Sequence, residues 1–222
     1  MDLEIVHTKD GSNTIYSKQF DATYHSRHGA LAESEHVFIK QGLHYKHQTG
    51  SNSINVLEVG YGTGLNAMLS LKYAMDNAIT VSYTGIEKHE FPKELINTLG
   101  YLNYFEPKYQ LPLNDLINAS YNSEKLIVPE FRITNYLLDF KDMVWDKTYD
   151  VIYFDAFSPR HVPHMWTIEI FQTLYNVLNP GGVLVTFCAQ GQFKRDLKAA
   201  GFTVERLPGA PGKREMTRGR KS

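Results

Sequence analysis

One cysteine stands in 222 residues, so neither a disulfide framework nor a thiolate metal cluster can be built within the chain. Charge of either sign is not in excess. Lys and Arg number 23 against 24 Asp and Glu, leaving a formal net charge of -1. A globally basic nucleic-acid binder is thereby excluded, whereas a local basic patch is not. No apolar run approaches the roughly 18 residues that a membrane span requires. The first residues, Met1-Asp2-Leu3-Glu4, carry neither the basic nor the apolar region of a secretory leader. A cytoplasmic protein without membrane contact is expected. Internal repeats and low-complexity linkers are also missing. What is present is a 42% apolar fraction, enough to pack one α/β unit with a small appendage. The single cysteine, Cys188, closes the apolar run Val183-Leu184-Val185-Thr186-Phe187-Cys188 and reads as a buried strand residue.

The first 50 residues are polar and rich in histidine. Leu3 to His7 and Thr14 to Ser17 read as a hairpin across Lys9-Asp10-Gly11-Ser12-Asn13, and Gly29 to Lys40 reads as a helix. Residues 1–50 are expected to be an N-terminal extension, and residues 51–222 the main unit. From Ile54 the rhythm changes to alternating strands and helices. Strands are expected at Ile54–Val59, Thr80–Ile86, Glu130–Thr134, Tyr149–Phe154, Val183–Cys188, Phe202–Leu207 and Arg214–Thr217. Helices are expected at Leu65–Met75, Phe91–Leu99, Met165–Leu178, stopped by Asn179-Pro180-Gly181-Gly182, and Gln192–Ala200. Residues 100–128 fit no element. The alternation predicts a mostly parallel, doubly wound sheet of seven strands. Its last two strands, joined by Pro208-Gly209-Ala210-Pro211-Gly212, form an antiparallel edge. This is a Rossmann-like α/β architecture.

Glu58-Val59-Gly60-Tyr61-Gly62-Thr63-Gly64-Leu65-Asn66 follows the first strand and opens a helix. In such sheets a ligand binds beyond the carboxyl ends of the strands, near the switch point. A phosphate-gripping loop would end in Gly-Lys-Ser/Thr, which is absent. A dinucleotide fingerprint needs Gly-x-Gly-x-x-Gly, and Leu65 occupies its last position. The spacing Gly-x-Gly-x-Gly, with an acid two residues ahead, resembles the first motif of S-adenosylmethionine methyltransferases. There Glu58 would lie near a cationic ligand, which suits a carboxylate. Gly85-Ile86-Glu87-Lys88 ends the next strand, and an acid there can accept hydrogen bonds from ribose hydroxyls.

Tyr153-Phe154-Asp155-Ala156-Phe157-Ser158-Pro159 ends the fourth strand, on the same rim. An acid closing an apolar strand is costly unless it is paired or used. The segment resembles the Asp/Asn-Pro-Pro-aromatic turn of amino-group methyltransferases, in which an aromatic face stabilises the cation formed on transfer. Asp155 can orient an amine or accept its proton, and Phe157 can supply the ring. A helix cap at Asp155 or Ser158 is the alternative reading.

Further segments carry a closer resemblance. Glu33-Ser34-Glu35-His36-Val37-Phe38, the Gly-Tyr-Gly-Thr-Gly-Leu-Asn stretch, Asp155-Ala156-Phe157-Ser158-Pro159, Pro163-His164-Met165-Trp166, Pro180-Gly181-Gly182, Ala200-Gly201-Phe202 and Gly212-Lys213-Arg214-Glu215-Met216 occur in order. They resemble the methyltransferase part of the bacterial MnmC family and its stand-alone MnmD form. The resemblance implies methyl transfer from S-adenosylmethionine to the amine of 5-aminomethyl-2-thiouridine at the tRNA wobble position, downstream of the enzymes that make this precursor. It also implies no flavin, because the family's oxidase domain has no counterpart here. The implied donor set is Glu58, Gly60, Tyr61, Gly62, Thr63, Gly64, Asn66, Glu87, Lys88, Asp155 and Ala156. Asn135 replaces the family's adenine-contacting acid.

Tyr24 and Glu33 are expected to close over the base. Lys213, Arg214, Glu215 and Arg195 are expected at the tRNA anticodon stem-loop, within a C-terminal group that also holds Lys194, Arg206, Arg218, Arg220 and Lys221. His25, His28, His36, His44 and His47 match no zinc spacing, and no metal is expected. Two other functions fit the same residues: methylation of a small amine, and donor binding without catalysis.

Overall fold

The structure, a computed structural model, describes residues 3–222; Met1 and Asp2, the start of the expected extension, lie outside the described residues. The chain opens with a three-stranded antiparallel sheet, β1 (Leu3–His7), β2 (Asn13–Ser17) and β3 (Ala22–Thr23). The hairpin turn then starts the first helix. The Ser12 hydroxyl accepts the Ala30 N–H (3.1 Å), and the Asp10 carboxylate accepts the Ala32 N–H (3.1 Å). These bonds satisfy donors that a helix start otherwise leaves open. The helix (α1) comprises Ala30–Ser34, a wide π-helical stretch Glu35–His44 and a last turn Tyr45–His47. It runs past the Lys40 boundary read from sequence.

Then follow β4 (Ser53–Val59), α2 (Leu65–Asn77), β5 (Thr80–Glu87), α3 (Lys93–Thr98), α4 (Pro107–Ile117), β6 (Glu124–Val128) and β7 (Phe131–Leu137). The chain finishes with β8 (Tyr149–Phe154), α5 (Ile168–Val177), β9 (Leu178–Thr186), α6 (Gly191–Ala199), β10 (Thr203–Pro208) and β11 (Glu215–Arg220). The sheet order is β10-β11-β9-β8-β4-β5-β7-β6. The five central strands are parallel, and antiparallel strands close both edges.

The sheet therefore has eight strands, not seven. The extra one, β6, pairs outside β7 and comes from the stretch that fitted no element. That stretch also holds α4, which two prolines conceal. Pro107 occupies the first turn, where its missing N–H is harmless. Pro112 removes one internal hydrogen bond, offset by burial of Tyr109, Leu113 and Leu116. The Asn179-Pro180-Gly181-Gly182 segment does follow the helix end, but it already belongs to β9. It is held by bonds between Gly181 N–H and the Lys221 carbonyl (2.8 Å) and between Lys221 N–H and the Gly182 carbonyl (3.1 Å).

The central strands are covered on both faces, which explains their near-continuous apolar runs. On one face Val56, Tyr83, Val151, Tyr153 and Val185 pack with α1 and α2. On the other, Leu57, Val59, Ile152, Phe154 and Leu184 pack with Phe171, Phe193 and Leu197 of α5 and α6. From β4 the chain winds outward through β5 to β7, then returns to β8 on the opposite side of β4. The carboxyl ends of β4 and β8 thus flank the switch point, where a crevice forms.

Gly42 brings α1 against the sheet: a Cβ there would lie 3.0 Å from both Tyr153 Cε1 and Val185 Cγ2. Gly42→Leu is expected to overpack this contact by about 1–3 kcal/mol. The melting temperature, read by thermal denaturation, should then fall by about 2–4 °C per kcal/mol. An unchanged value would mean that α1 does not bear on the sheet.

Candidate active site

The glycine turn begins where β4 ends. Gly60 and Tyr61 both donate their N–H groups to the Ile86 carbonyl (3.0 and 3.1 Å), tying the turn to the end of β5. Gly60 has φ +91°, and a Cβ there would sit 2.7 Å from the Asp155 carbonyl oxygen. Only glycine allows β4 and β8 to approach so closely. Asp155 N–H in turn donates to the Val59 carbonyl (2.9 Å).

Two carboxyl groups meet at this junction. Glu58 is 1% exposed; its Oε2 accepts from the Tyr83 hydroxyl (2.7 Å) and its Oε1 from Asn66 Nδ2 (2.7 Å). The same Nδ2 donates to Asp155 Oδ2 (2.9 Å). Burial pushes the Glu58 carboxyl up to about 8, against the two hydrogen bonds that favour its ionised form. Burial first, then the Glu58 and Glu33 charges, push Asp155 well above the usual carboxylate range; Asn66 and Lys213 pull it down.

Asp155 faces a cavity of about 800 Å³ beyond the strand ends. Gly60, Gly62, Glu87 and Lys88 wall one side, and Ala156, Phe157, Tyr24, Glu33 and Lys213 the other. Glu58, Tyr61, Thr63, Gly64 and Asn66 are not on its wall. They support the turn from behind, with Tyr61 packed under Gly85 and Gly64 and the Thr63 hydroxyl 3.4 Å from that of Tyr101. Glu87 accepts three backbone N–H groups, from Gly62 (2.9 Å), Lys88 (2.9 Å) and His89 (3.0 Å). Burial raises its carboxyl and these donors oppose the rise.

Asn135 is not on this wall. It borders a separate space of about 20 Å³ with Tyr61, Thr63 and Tyr121, and its buried Oδ1 has no protein partner. The wall position that follows β7 is instead held by Leu138, Asp139 and Phe140, with Asp139 paired to Lys88 (2.9 Å). β7 runs to Leu137, three residues past the Thr134 end expected from the sequence, so Asn135 lies within the strand and the wall residues follow it.

On the other side the Phe157 ring lies 4.6 Å from Tyr24 and 4.5 Å from Phe20, an aromatic that sequence reasoning passed over. Trp166 Nε1–H holds the Phe157 carbonyl (2.7 Å), so the turn is anchored to the core on the far face. Glu33, at the start of α1, pairs with Lys213 and accepts the Ser26 N–H (2.9 Å). The Lys213 ammonium also lies 4.3 Å above the Phe187 ring. His25, pushed down to about 4 by burial, is neutral beside this pair.

Arg195, Arg214 and Glu215 do not reach the cavity. Glu215 pairs with Lys194 (3.3 Å), Arg195 bonds the Gln192 side chain (2.6 Å), and Arg214 is exposed. Much of the expected basic face is neutralised locally, because Glu205 takes both Arg218 (2.7 Å) and Arg220 (2.8 Å). Among the described residues no group of three or more His, Cys, Asp and Glu could hold a metal ion, and no helix is long and apolar enough to cross a membrane.

The wall beside the glycine turn fits a cationic nucleoside and not a pyrophosphate. Its charged groups are the Glu87 and Asp139 carboxylates, and its one lysine, Lys88, is already paired. Gly62 opens a cradle there: a Cβ on it would enter the space beside Tyr24, 3.5 Å away.

Residues 109–222 match the model of a family described as S-adenosyl-L-methionine-dependent methyltransferase. The tRNA 5-methylaminomethyl-2-thiouridine biosynthesis bifunctional protein MnmC of Cupriavidus necator is 30% identical over 215 residues, covering 91% of this chain and 32% of that protein. The protein of the same name from Leptospira borgpetersenii is 30% identical over 222 residues, covering 94% and 34%. The chain thus spans about a third of the length of the curated relatives it matches. The crystal structure of MNMC2 from Aquifex aeolicus superposes with a TM-score of 0.81 at 24% identity, covering 98% of this chain and 70% of that one. The family model spans more than half of the chain, and the chain belongs to the S-adenosyl-L-methionine-dependent methyltransferases.

Proposed function

We propose that the protein methylates the amine of 5-aminomethyl-2-thiouridine at the wobble position of tRNA, giving 5-methylaminomethyl-2-thiouridine, in a reducing cytoplasmic setting. The observation that carries this reading is Asp155. Its half-buried carboxylate and the Phe157–Tyr24 ring pair face the cavity that the glycine turn also lines. This is equipment for an amine that becomes cationic. The names of the MnmC relatives supply the tRNA nucleoside as its carrier.

Glu87 and Asp139 would hold the donor's ribose and adenine, with Gly60 and Gly62 against it. When bound, S-adenosyl-L-methionine supplies an electrophilic methyl group: the nitrogen lone pair forms the new N–C bond as the C–S bond breaks and its electron pair returns to sulfur. The protein's own residues do the rest. Asp155 orients the neutral amine and takes the proton that the nitrogen sheds, so its ionised form is the active one. The rings of Phe157, Tyr24 and Phe20 form the wall beside the developing positive charge. Lys213, fixed by Glu33, places a cation on the same cavity wall, which favours the unprotonated form of the incoming amine. A wobble base in a single-stranded loop reaches such a pocket with little unpairing. Exposed Arg214 and Arg195 remain for tRNA phosphates.

Asp155→Ala is expected to lower methylation by about 10²–10⁴-fold, while calorimetric affinity for S-adenosylhomocysteine stays within a few-fold. Mass spectrometry of nucleosides, after incubation with donor and tRNA bearing the unmethylated amine, reads the first effect. Methylation of free amines but not of this tRNA would overturn the substrate reading.

Asp139→Ala should weaken S-adenosylhomocysteine binding by about tenfold, the loss of a hydrogen bond to a charged group, and Asn135→Ala should not. The reverse ranking would return the adenine contact to Asn135.

Because Asp155 is raised, kcat/KM should climb with pH through a limb above the ordinary carboxylate range. Below that limb Asp155 is protonated and cannot take the amine's proton. A rate profile already flat from pH 5 upward would exclude Asp155 as the acceptor of that proton.

A further inference from the structure

Behind the cavity wall, the acids at the ends of β4 and β8 share one amide. Asn66 Nδ2 carries two protons; one goes to Glu58 Oε1 (2.7 Å) and the other to Asp155 Oδ2 (2.9 Å). With both carboxylates ionised, a flipped amide would set its oxygen against two carboxylate oxygens, so in that state the orientation is fixed by chemistry. Asn66 Oδ1 is buried without a protein partner, and no protein donor competes to turn it. Tyr83 fills the second oxygen of Glu58 (2.7 Å). Glu58 therefore has a donor on each oxygen, whereas Asp155 has one oxygen tied and the other left for the cavity.

We propose that Asn66 is a positioning residue that holds Asp155 as an acceptor toward the incoming amine, and that Glu58, sharing the same amide, sets the charge state of Asp155. The proposal rests on the amine-methylating reading above. A proton on Asp155 Oδ2 would meet the Asn66 N–H head-on, so the amide disfavours the acid form at that oxygen. The charged groups that bear on Asp155 come from three directions. Glu58 at the end of β4 and Glu33 at the start of α1 oppose its ionisation, and Lys213 in the β10–β11 turn supports it. Glu87, the Lys88–Asp139 pair and neutral His25 border the same cavity. Removing the amide donor and removing the Glu58 charge must therefore move Asp155 in opposite directions. A residue that merely packs would not produce that pattern.

The test is a ¹³C NMR titration of the Asp155 carboxyl carbon in the ligand-free protein, repeated in Asn66→Ala and Glu58→Gln. Asn66→Ala should raise the Asp155 midpoint by about one pH unit, and Glu58→Gln should lower it by a similar amount. The glutamine keeps an oxygen for the Asn66 amide, so this second variant keeps the test open should Asn66→Ala fold poorly. In the methylation assay Asn66→Ala should lose about tenfold or more in kcat near neutral pH, with KM for the acceptor within about threefold, and should recover as pH rises. Midpoints that stay in place, or that move in the same direction in both variants, overturn the proposal. Absence of amine methylation in the wild-type protein overturns the substrate reading instead, and the titration still decides the role of Asn66.

Discussion

Two carboxyl groups set side by side at the β4–β8 junction, Glu58 buried and Asp155 half-buried, are the constraint on which the rest of the site depends. Withdrawing these groups from water is unfavourable, and the Glu58 charge raises the affinity of Asp155 for a proton as the Glu87 charge raises that of Glu58. The fold meets this with donors from neighbouring elements, Tyr83 on β5 and Asn66 in the first turn of α2. Both donors arrive only if β5 lies beside β4 and α2 starts directly after the glycine turn. Gly60 is part of the same condition, because a side chain there would strike the Asp155 backbone and part the two strands. Turn, helix start and acid thus form one unit.

The two sides of the cavity are built differently. The side next to the glycine turn comes mostly from one continuous strand–turn–helix–strand unit, β4 to β5, closed by Asp139 after β7. The opposite side is assembled from the ends of the chain. The hairpin turn caps α1 through Asp10 and Ser12, and α1 then delivers Glu33. The segment around β3 brings Phe20 and Tyr24 onto Phe157, and the β10–β11 turn brings Lys213 to Glu33. A local frame suits a binding site shared across a fold. A wall made from distant segments can change with the acceptor while the frame stays.

Charge placement follows the same division. The C-terminal cations that look like a basic face in the sequence are drawn into pairs: Glu205 takes Arg218 and Arg220, Glu215 takes Lys194, and Lys221 caps the Tyr175 carbonyl (2.7 Å). Arg218 also lies over the Tyr45 ring at 3.6 Å, binding the sheet edge to the end of α1. These cations stabilise the edge strands. Exposed Arg214 keeps an electrostatic reach toward a polyanion.

The parallel core, the glycine turn and the acids at the ends of β5 and β8 are legible in the chain before it folds. Each is a local feature, because strand periodicity, a glycine turn and the residue after it are set by neighbours in the chain. β6 and α4 were not legible, since Pro112 disguises a helix whose stability comes from its buried face. The reach of β7 to Leu137, which puts Asp139 and not Asn135 on the cavity wall, was hidden too, because strand ends depend on pairing with β5, which no local pattern records. Only the tertiary structure decided that Glu58 stands behind the cavity, that Phe20 enters it, that Glu215 neutralises Lys194 and that one asparagine joins two carboxylates. Those facts depend on contacts between segments as far apart as Phe20 and Phe157, and the energies that select them, burial and charge pairing, exist only once the chain has folded.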